Sequence, residues 1–188
     1  MKTGLLIVGV VVLMALMLGC SLIGSRNELV KEREAINSAF AQVDVVLQRR
    51  NDLIPNLVET VKGFAKQEQS VIDSVTNARA ATMGAKSPKE KIEADAQVRS
   101  ALGRLFVVVE NYPNIKSNEN FLRLQDELAG TENRIAVERG KYNRVVQQYN
   151  TDIELFPKNI AASMFGFQRN DAYFKADAAA KETPKVKF

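Results

Sequence analysis

The chain of 188 residues has no histidine and no tryptophan, and its one cysteine, Cys20, lies in an apolar N-terminal segment. Histidine is the side chain that titrates near neutrality and the commonest transition-metal ligand, so its absence excludes histidine-based acid–base catalysis, catalytic triads and zinc sites. The glycines are scattered, without a Walker-type run or a dinucleotide fingerprint. Carboxylate or lysine chemistry remains open, but the sequence predicts a protein that is not an enzyme, with no catalytic residue, metal or cofactor.

Charge is distributed unevenly along the chain. The formal net charge is +4, yet basic and acidic residues balance over residues 25–156, and most of the excess of basic residues lies in the tail from residue 157 onward. Nucleic-acid binders concentrate positive charge on one face to displace counterions from phosphates. Because acidic residues interrupt every basic cluster here, we expect no nucleic-acid partner.

The N-terminal segment, residues 1–24, predicts attachment to a bacterial membrane. Residues 4–23 are uncharged and mostly apolar, long enough as a helix to cross a hydrocarbon core of about 30 Å. The run ending in LMLGC at residues 16–20 also resembles a lipoprotein signal, in which Cys20 carries the lipid. A lipidated chain would lie outside the cytoplasm, whereas an uncleaved helix, narrowly favoured here, would by the positive-inside rule leave the domain in the cytoplasm. The sequence therefore leaves the side of the membrane open.

Apolar periodicity predicts an all-α protein, with an up-and-down antiparallel bundle of about four long helices over residues 25–156. The first helix spans about 27–50. The second extends to about residue 83, with Asp52 as its N-cap and Pro55 in its first turn. A capping box, Ser87 with Glu90, begins the third helix at Pro88 and it ends before residue 113. The fourth follows a polar turn at residues 114–118 and extends to residue 156.

Several short motifs resemble those of the LemA family. They are RRNDLIPNLVETVKGF at 49–64, AR at 78–79, TENRIA at 131–136, YN at 142–143 and 149–150, and FP at 156–157. The likeness covers nearly the whole chain after the leader. It implies a membrane-anchored bundle of long helices and implies no particular activity.

Some charged residues fall on the apolar stripes of these helices: Glu68, Arg99, Glu132 and Arg139. Unpaired burial of an ion is costly, so we expect these side chains to form ion pairs that set the register of the bundle. A second hypothesis joins them to Arg49, Arg50 and Arg79 in a polar groove for a peptide or a lipid head group. The complete predicted interaction motif comprises Arg49, Arg50, Asp52, Pro55, Asn56, Glu68, Arg79, Arg99, Glu132, Arg134 and Arg139.

The extension at residues 157–188 is rich in aromatic side chains before a basic end. The aromatic residues either fold back on the bundle, insert at the membrane interface or dock on a partner. The last residues, with Val186 and Phe188, resemble a ligand for a PDZ domain, which reads alternate side chains and the terminal carboxylate.

These observations predict a membrane-anchored, non-catalytic interaction or scaffold protein of the bacterial cell envelope with protein partners. One alternative is an adaptor for a membrane protease or quality-control system, recognised through Val186 and Phe188. Another is a lipid-remodelling bundle. The sequence does not determine the oligomeric state.

Overall fold

A computed structural model describes residues 2–175. Its helices are α1 (Lys2–Phe64), α2 (Gln69–Gly84), α3 (Pro88–Val109), α4 (Pro113–Lys116), α5 (Glu119–Asp152) and α6 (Lys158–Phe165). Within these residues there is no β-strand, so the predicted all-α class is confirmed.

The predicted break between the first two helices is wrong. Helix α1 continues without interruption through Asp52 and contains Pro55 in its interior. Asp52 is therefore no N-cap; its exposed carboxylate accepts a hydrogen bond from Gln48 Nε2 at 2.7 Å, one turn earlier. The helix continues because Leu47, before the proline, and Ile54, beside it, are both buried on one face.

The long second helix predicted to reach residue 83 is instead divided at residues 65–68, between α1 and α2. Gly63 precedes this turn, and glycine has low helix propensity. The turn lets α2 pack back on α1, as the hydrogen bond from Arg79 Nε to the carbonyl of Asn51 shows.

The start of α3 agrees with the sequence-based prediction. The Ser87 hydroxyl accepts a hydrogen bond from the Glu90 amide at 3.2 Å, and the Glu90 carboxylate accepts one from the Ser87 amide at 3.3 Å. The pKa of Glu90 is lowered by hydrogen bonds from the backbone of Lys86 and Ser87. Both ends of this capping box are local in sequence, which is why it could be recognised without tertiary information.

The predicted fourth helix ends earlier than expected. Helix α5 stops at Asp152, and the short helix α6 follows after a turn over residues 153–157. The residue that follows α6, Gly166, has φ +71°, and the amide of Phe167 donates to the carbonyl of Ala162 at 2.9 Å. This is a left-handed glycine cap, which ends α6 and turns the chain back.

The chain divides into two compact units. Of the described residues, the first unit comprises 2–39 and 142–171, and the second 40–141 and 172–175. In the second unit, buried apolar side chains form the core: Ile54, Leu57, Val58, Val61, Ile72, Val75, Val98, Leu102, Leu105, Val109, Ile115, Phe121 and Leu128.

Contacts between α3 and α5 in the second unit reverse the sequence order. Asp95 near the start of α3 contacts Arg139 of α5, whereas Phe106 near the end of α3 contacts Phe121, with ring centroids 6.4 Å apart. Antiparallel neighbours give this order. The complete up-and-down arrangement of the four helices stays a prediction.

The first unit is held by side chains of α1, α5 and the segment that includes α6. Leu29, Val146, Ala161 and Ala162 are buried. The hydroxyl of Tyr149 donates to the carbonyl of Gln168 at 2.9 Å. Asn150 exchanges two hydrogen bonds with the backbone of Asn170, at 2.7 and 2.8 Å. The residues after α6 therefore return along α5.

Candidate functional site

A buried carboxylate, Asp95, is the centre of an ion-pair cluster in the second unit. Arg50 Nη2 lies 2.8 Å from Asp95 Oδ1, and both side chains are fully buried. Arg139 Nη2 pairs with Asp95 Oδ2, and Arg99 Nε lies 3.8 Å from the same oxygen. Helices α1, α3 and α5 each contribute to this cluster, so its ion pairs fix the axial alignment of these three helices.

A second carboxylate completes the cluster. Arg50 Nη1 lies 2.9 Å from Glu132 Oε1, so one guanidinium bridges two carboxylates on different helices. Arginine suits this position because its planar fork can pair with two acceptors. The sequence placed Arg50, Arg99, Glu132 and Arg139 among its candidates, and the structure brings all four together.

Three guanidinium groups and two carboxylates leave the cluster with one more formal positive charge than negative. Burial lowers the pKa of Arg139; Asp95 acts in the opposite direction, and the nearby Arg99 and Arg50 lower it further. The ring of Phe174 lies 5.2 Å from the Arg139 guanidinium carbon. Arginine stays protonated in proteins, so the cluster is suited to holding helices and to binding rather than to proton transfer.

The sequence analysis did not select Asp95, because α3 contains many polar residues and Asp95 does not fall on its predicted apolar stripe. One signal was available. Asp95 and Arg99 are four residues apart, the spacing at which opposite charges meet on one helix face.

The motif around Pro55 has a separate structural reason. Proline lacks the amide hydrogen that would bond to the carbonyl of Asn51, one helical turn earlier. Arg79 of α2 supplies the replacement, because its Nε donates to that carbonyl at 2.8 Å. Arg79 thus satisfies the acceptor that Pro55 leaves unpaired, and it also joins α2 to α1.

The remaining candidates do not join the cluster. Arg49, Asp52, Pro55, Asn56 and Arg134 are exposed. Glu68, before α2, accepts a hydrogen bond from the Tyr112 hydroxyl at 2.9 Å, which raises the pKa of Tyr112. The polar groove that would join these residues to Arg49, Arg50 and Arg79 stays a prediction.

An apolar groove lies between α3 and α5 in the second unit, with a volume of about 340 Å³. Its lining shares two residues, Arg99 and Glu132, with the ion-pair cluster. The other lining residues are Leu102, Gly103, Phe106, Gln125, Leu128 and Ala129. The groove thus combines apolar side chains with the edge of a paired charge cluster, which suits an amphipathic ligand.

A second charge cluster lies in the first unit. Lys158 Nζ is 3.1 Å from Glu28, 2.9 Å from Glu32 and 2.8 Å from Asp152. Burial raises the pKa of Glu32 against the effect of Lys158, and the neighbouring Asp152 raises it further. Burial would raise the pKa of Asp152, but its hydrogen-bond interactions with Lys158, Glu32 and Gln148 outweigh it and lower that pKa. The lysine thus holds α1, the end of α5 and α6 together.

The other predicted sites concern the termini. Cys20 is exposed on α1. Val186 and Phe188 lie outside the described residues. Within residues 2–175, no group of three or more acidic, cysteine or histidine side chains is arranged to hold a metal ion.

Comparison with known proteins places this geometry in a family context. Residues 39–188 match the model of the LemA family. The chain is 29% identical over 186 residues to the magnetosome protein MamQ 2 of Paramagnetospirillum magneticum, covering 85% of this chain and 68% of the relative. It is 26% identical to the magnetosome protein MamQ of Magnetospirillum gryphiswaldense, with the same coverage. It is 24% identical over 165 residues to protein LemA of Metamycoplasma hominis, covering 87% of this chain and 73% of the relative.

Proposed function

Because the chain belongs to the LemA family, we propose that it is a membrane-anchored, non-catalytic interaction or scaffold protein of the bacterial cell envelope. One observation carries the anchoring. The large apolar side chains of residues 6–18 are more than half exposed, although they lie in the same helix as the buried Arg50. In water such a surface would be strongly unfavourable, and α1 contains a segment apolar and long enough to cross a bilayer.

The form of attachment in this proposal is a single spanning helix with an unmodified Cys20. Helix α1 passes through Cys20 without interruption. The intact mass of the protein purified from its native membranes tests this point. An unprocessed chain supports a spanning helix, whereas a diacylglyceryl group on an N-terminal Cys20 would contradict it.

The interaction role rests on the groove between α3 and α5. The charges of the adjoining cluster are paired with one another, which leaves the groove as a binding surface without an evident reactive group. An apolar side chain of a protein partner fits between Leu102, Phe106 and Leu128, and a polar neighbour on that partner can reach Arg99 or Glu132.

Two exposed helical glycines allow a matched test of this surface. Gly103 lines the groove and Gly130 does not, and a Cβ atom added at either residue meets no atom within 4 Å. Gly103→Leu should fill the groove, and Gly130→Leu adds the same side chain to α5 outside it. Neither should weaken its helix, because leucine has the higher helix propensity.

The measurement is quantitative co-purification of the full-length protein, with its partners, in lipid nanodiscs taken from the native membrane. We expect Gly103→Leu to lose at least one partner that both the wild type and Gly130→Leu retain. Equal partner sets for all three proteins would contradict the groove as the interaction surface.

A further inference from the structure

We propose that the exposed apolar face of α6 and of the turn before it inserts into the interface of the bilayer that α1 spans. The inference rests on the proposed membrane anchoring and adds a second contact with the lipid. The segment concerned is the interfacial loop, defined here as residues 155–165.

The interfacial loop has one buried side and one exposed apolar side. Ala161 and Ala162 are buried against the first unit. Met164 is 64% exposed and Ile160 45%, and these two residues are one helical turn apart, so they share a face. Phe156, before the helix, is 79% exposed. Large apolar groups this exposed and this close in sequence are typical of a surface that is covered in the working state.

Contacts with α1 place the loop beside the end of the apolar segment. The guanidinium carbon of Arg26 lies 5.5 Å from the centroid of the Phe165 ring, and Lys158 Nζ lies 3.1 Å from Glu28. At about 1.5 Å per residue, Arg26 is roughly 5 Å beyond Ile23 along the helix axis and Glu28 roughly 8 Å. The head-group region on each side of the hydrocarbon core is about 5–8 Å thick, so these contacts lie at its level.

The position and the chemistry together favour lipid as the occupant. The loop contacts α1 at Arg26 and Glu28, just beyond the apolar surface of residues 6–23, whose covering in the proposed function is the bilayer itself. Aromatic side chains and cations are the groups that proteins place at membrane interfaces, and Phe156, Phe165 and Arg26 supply both. Insertion removes apolar area from water without requiring any other protein.

Site-directed spin labelling of the full-length protein in phospholipid nanodiscs tests the proposal. Cys20 is first replaced by serine, and single cysteines are then introduced for a nitroxide label. The test position is Met164. Leu13, within the apolar segment, is the lipid reference. Asn37 is the water reference, exposed on α1 and roughly 20 Å beyond Ile23 at about 1.5 Å per residue. Circular dichroism establishes that each labelled protein is folded.

The measurement compares the collision rates of each label with oxygen, which partitions into lipid, and with a water-soluble nickel complex. We expect the oxygen-to-nickel ratio at Met164 to lie nearer to that at Leu13 than to that at Asn37. A ratio like that at Asn37, with Leu13 in lipid, would overturn the inference and leave the anchoring intact. Low collision rates with both reagents at Met164 would show a protein cover, from a second copy, and would also overturn it. A water-like ratio at Leu13 would contradict the anchoring itself.

Discussion

At the scale of single residues, Asp95 is the shared partner of three arginines, although it was not singled out from the sequence. It is fully buried and faces three guanidinium groups, and its removal would leave Arg50 with only Glu132 as a partner. Burial of charged groups is tolerable only when they are paired, because desolvation costs several kcal/mol per ion. The Asp95 carboxylate thus offsets part of the desolvation cost of three buried or half-buried arginines.

Asp95→Asn should therefore lower the free energy of unfolding by about 3–5 kcal/mol, the range for breaking a buried ion pair from one side. The control is Asp73→Asn, the same change at an exposed residue whose carboxylate accepts a hydrogen bond from Gln69. Urea unfolding of the full-length protein in detergent, followed by circular dichroism, measures both. Similar losses for the two variants would contradict the role assigned to Asp95.

Glu32 predicts a dependence of stability on pH. Its folded-state pKa is raised above the ordinary 4.5, so its carboxyl group releases a proton less readily in the folded than in the unfolded chain. The stability linked to its protonated form is complete below pH 4.5 and is lost as the pH rises through the raised pKa. Asp152, with a lowered pKa, acts in the opposite sense, but that change falls mainly below its ordinary 3.8.

Relative to Glu32→Gln, the wild type should thus lose stability as the pH increases from 4.5 to neutrality. The difference in free energy of unfolding between the two proteins, measured at several pH values, is the quantity to follow. The change of this difference with pH tests the prediction. Its constant part does not, since the variant also alters the contact with Lys158. Glu34→Gln, at an exposed position, is the control. A difference independent of pH would refute the prediction.

At the scale of secondary-structure elements, α1 contains an internal proline, and a side chain of α2 replaces the hydrogen bond that the proline removes. The carbonyl of Asn51 has lost its helical donor at Pro55 and receives one from Arg79 of α2. An unpaired buried acceptor costs about 1–3 kcal/mol, so the contact helps keep α1 continuous and also docks α2.

A double-mutant cycle should expose this dependence. Arg79→Met in the wild type leaves the Asn51 carbonyl unpaired and should cost about 1–3 kcal/mol. In a Pro55→Ala background the alanine amide can bond to that carbonyl, so the same substitution should cost less, with a coupling of about 1 kcal/mol or more. Additive effects of the two changes, measured by urea unfolding, would show that Arg79 acts independently of the proline.

The end of α6 gives a second prediction for an element. Gly166 has φ +71°, a conformation that costs other residues about 1–2 kcal/mol. Gly166→Ala should therefore lower the free energy of unfolding by that amount. Gly84→Ala is the matched control, because Gly84 ends α2 without a positive φ and an added Cβ there meets open space. Equal effects of the two substitutions on the urea midpoint would contradict this reasoning.

At the scale of the whole molecule, location follows from the apolar segment rather than from net charge. Acidic and basic residues are balanced over residues 25–156, so electrostatic attraction to an anionic surface is weak. In the proposed function, retention in a membrane therefore depends on residues 4–23.

Replacing Leu13 and Met14 together by aspartate should reduce membrane insertion, since each charged residue near the centre of a spanning helix costs about 2.5–3.5 kcal/mol. Val107→Asp and Val137→Asp together form the control, because these valines are exposed on α3 and α5. The share of protein that stays with membranes after an alkaline carbonate wash is the readout. Full retention of the Leu13 and Met14 variant would exclude this segment as the anchor.

Local signals account for the features that could be predicted. The 3.6-residue apolar period identified the all-α class, and Ser87 with Glu90 marked the start of α3 because both partners lie within one turn. Asp52 and Pro55 gave a similar local signal, but the helix start that they predicted is wrong. Both residue types fit the start of a helix, yet here both lie inside α1. Burial of Leu47 and Ile54 on one face prevailed over the local preference.

The sequence by itself determined the helical class, the long apolar N-terminal segment and four of the charged residues that meet in the core, because periodicity and composition need no knowledge of distant contacts. Only the tertiary structure decided that Asp95 is the common partner of three arginines, that α1 continues through Pro55, and that α6 is tied to α1 by Lys158. Each of these depends on groups from separate helices. The energy of a buried charge or an unpaired carbonyl is set by what packs against it, and a linear pattern does not contain that information.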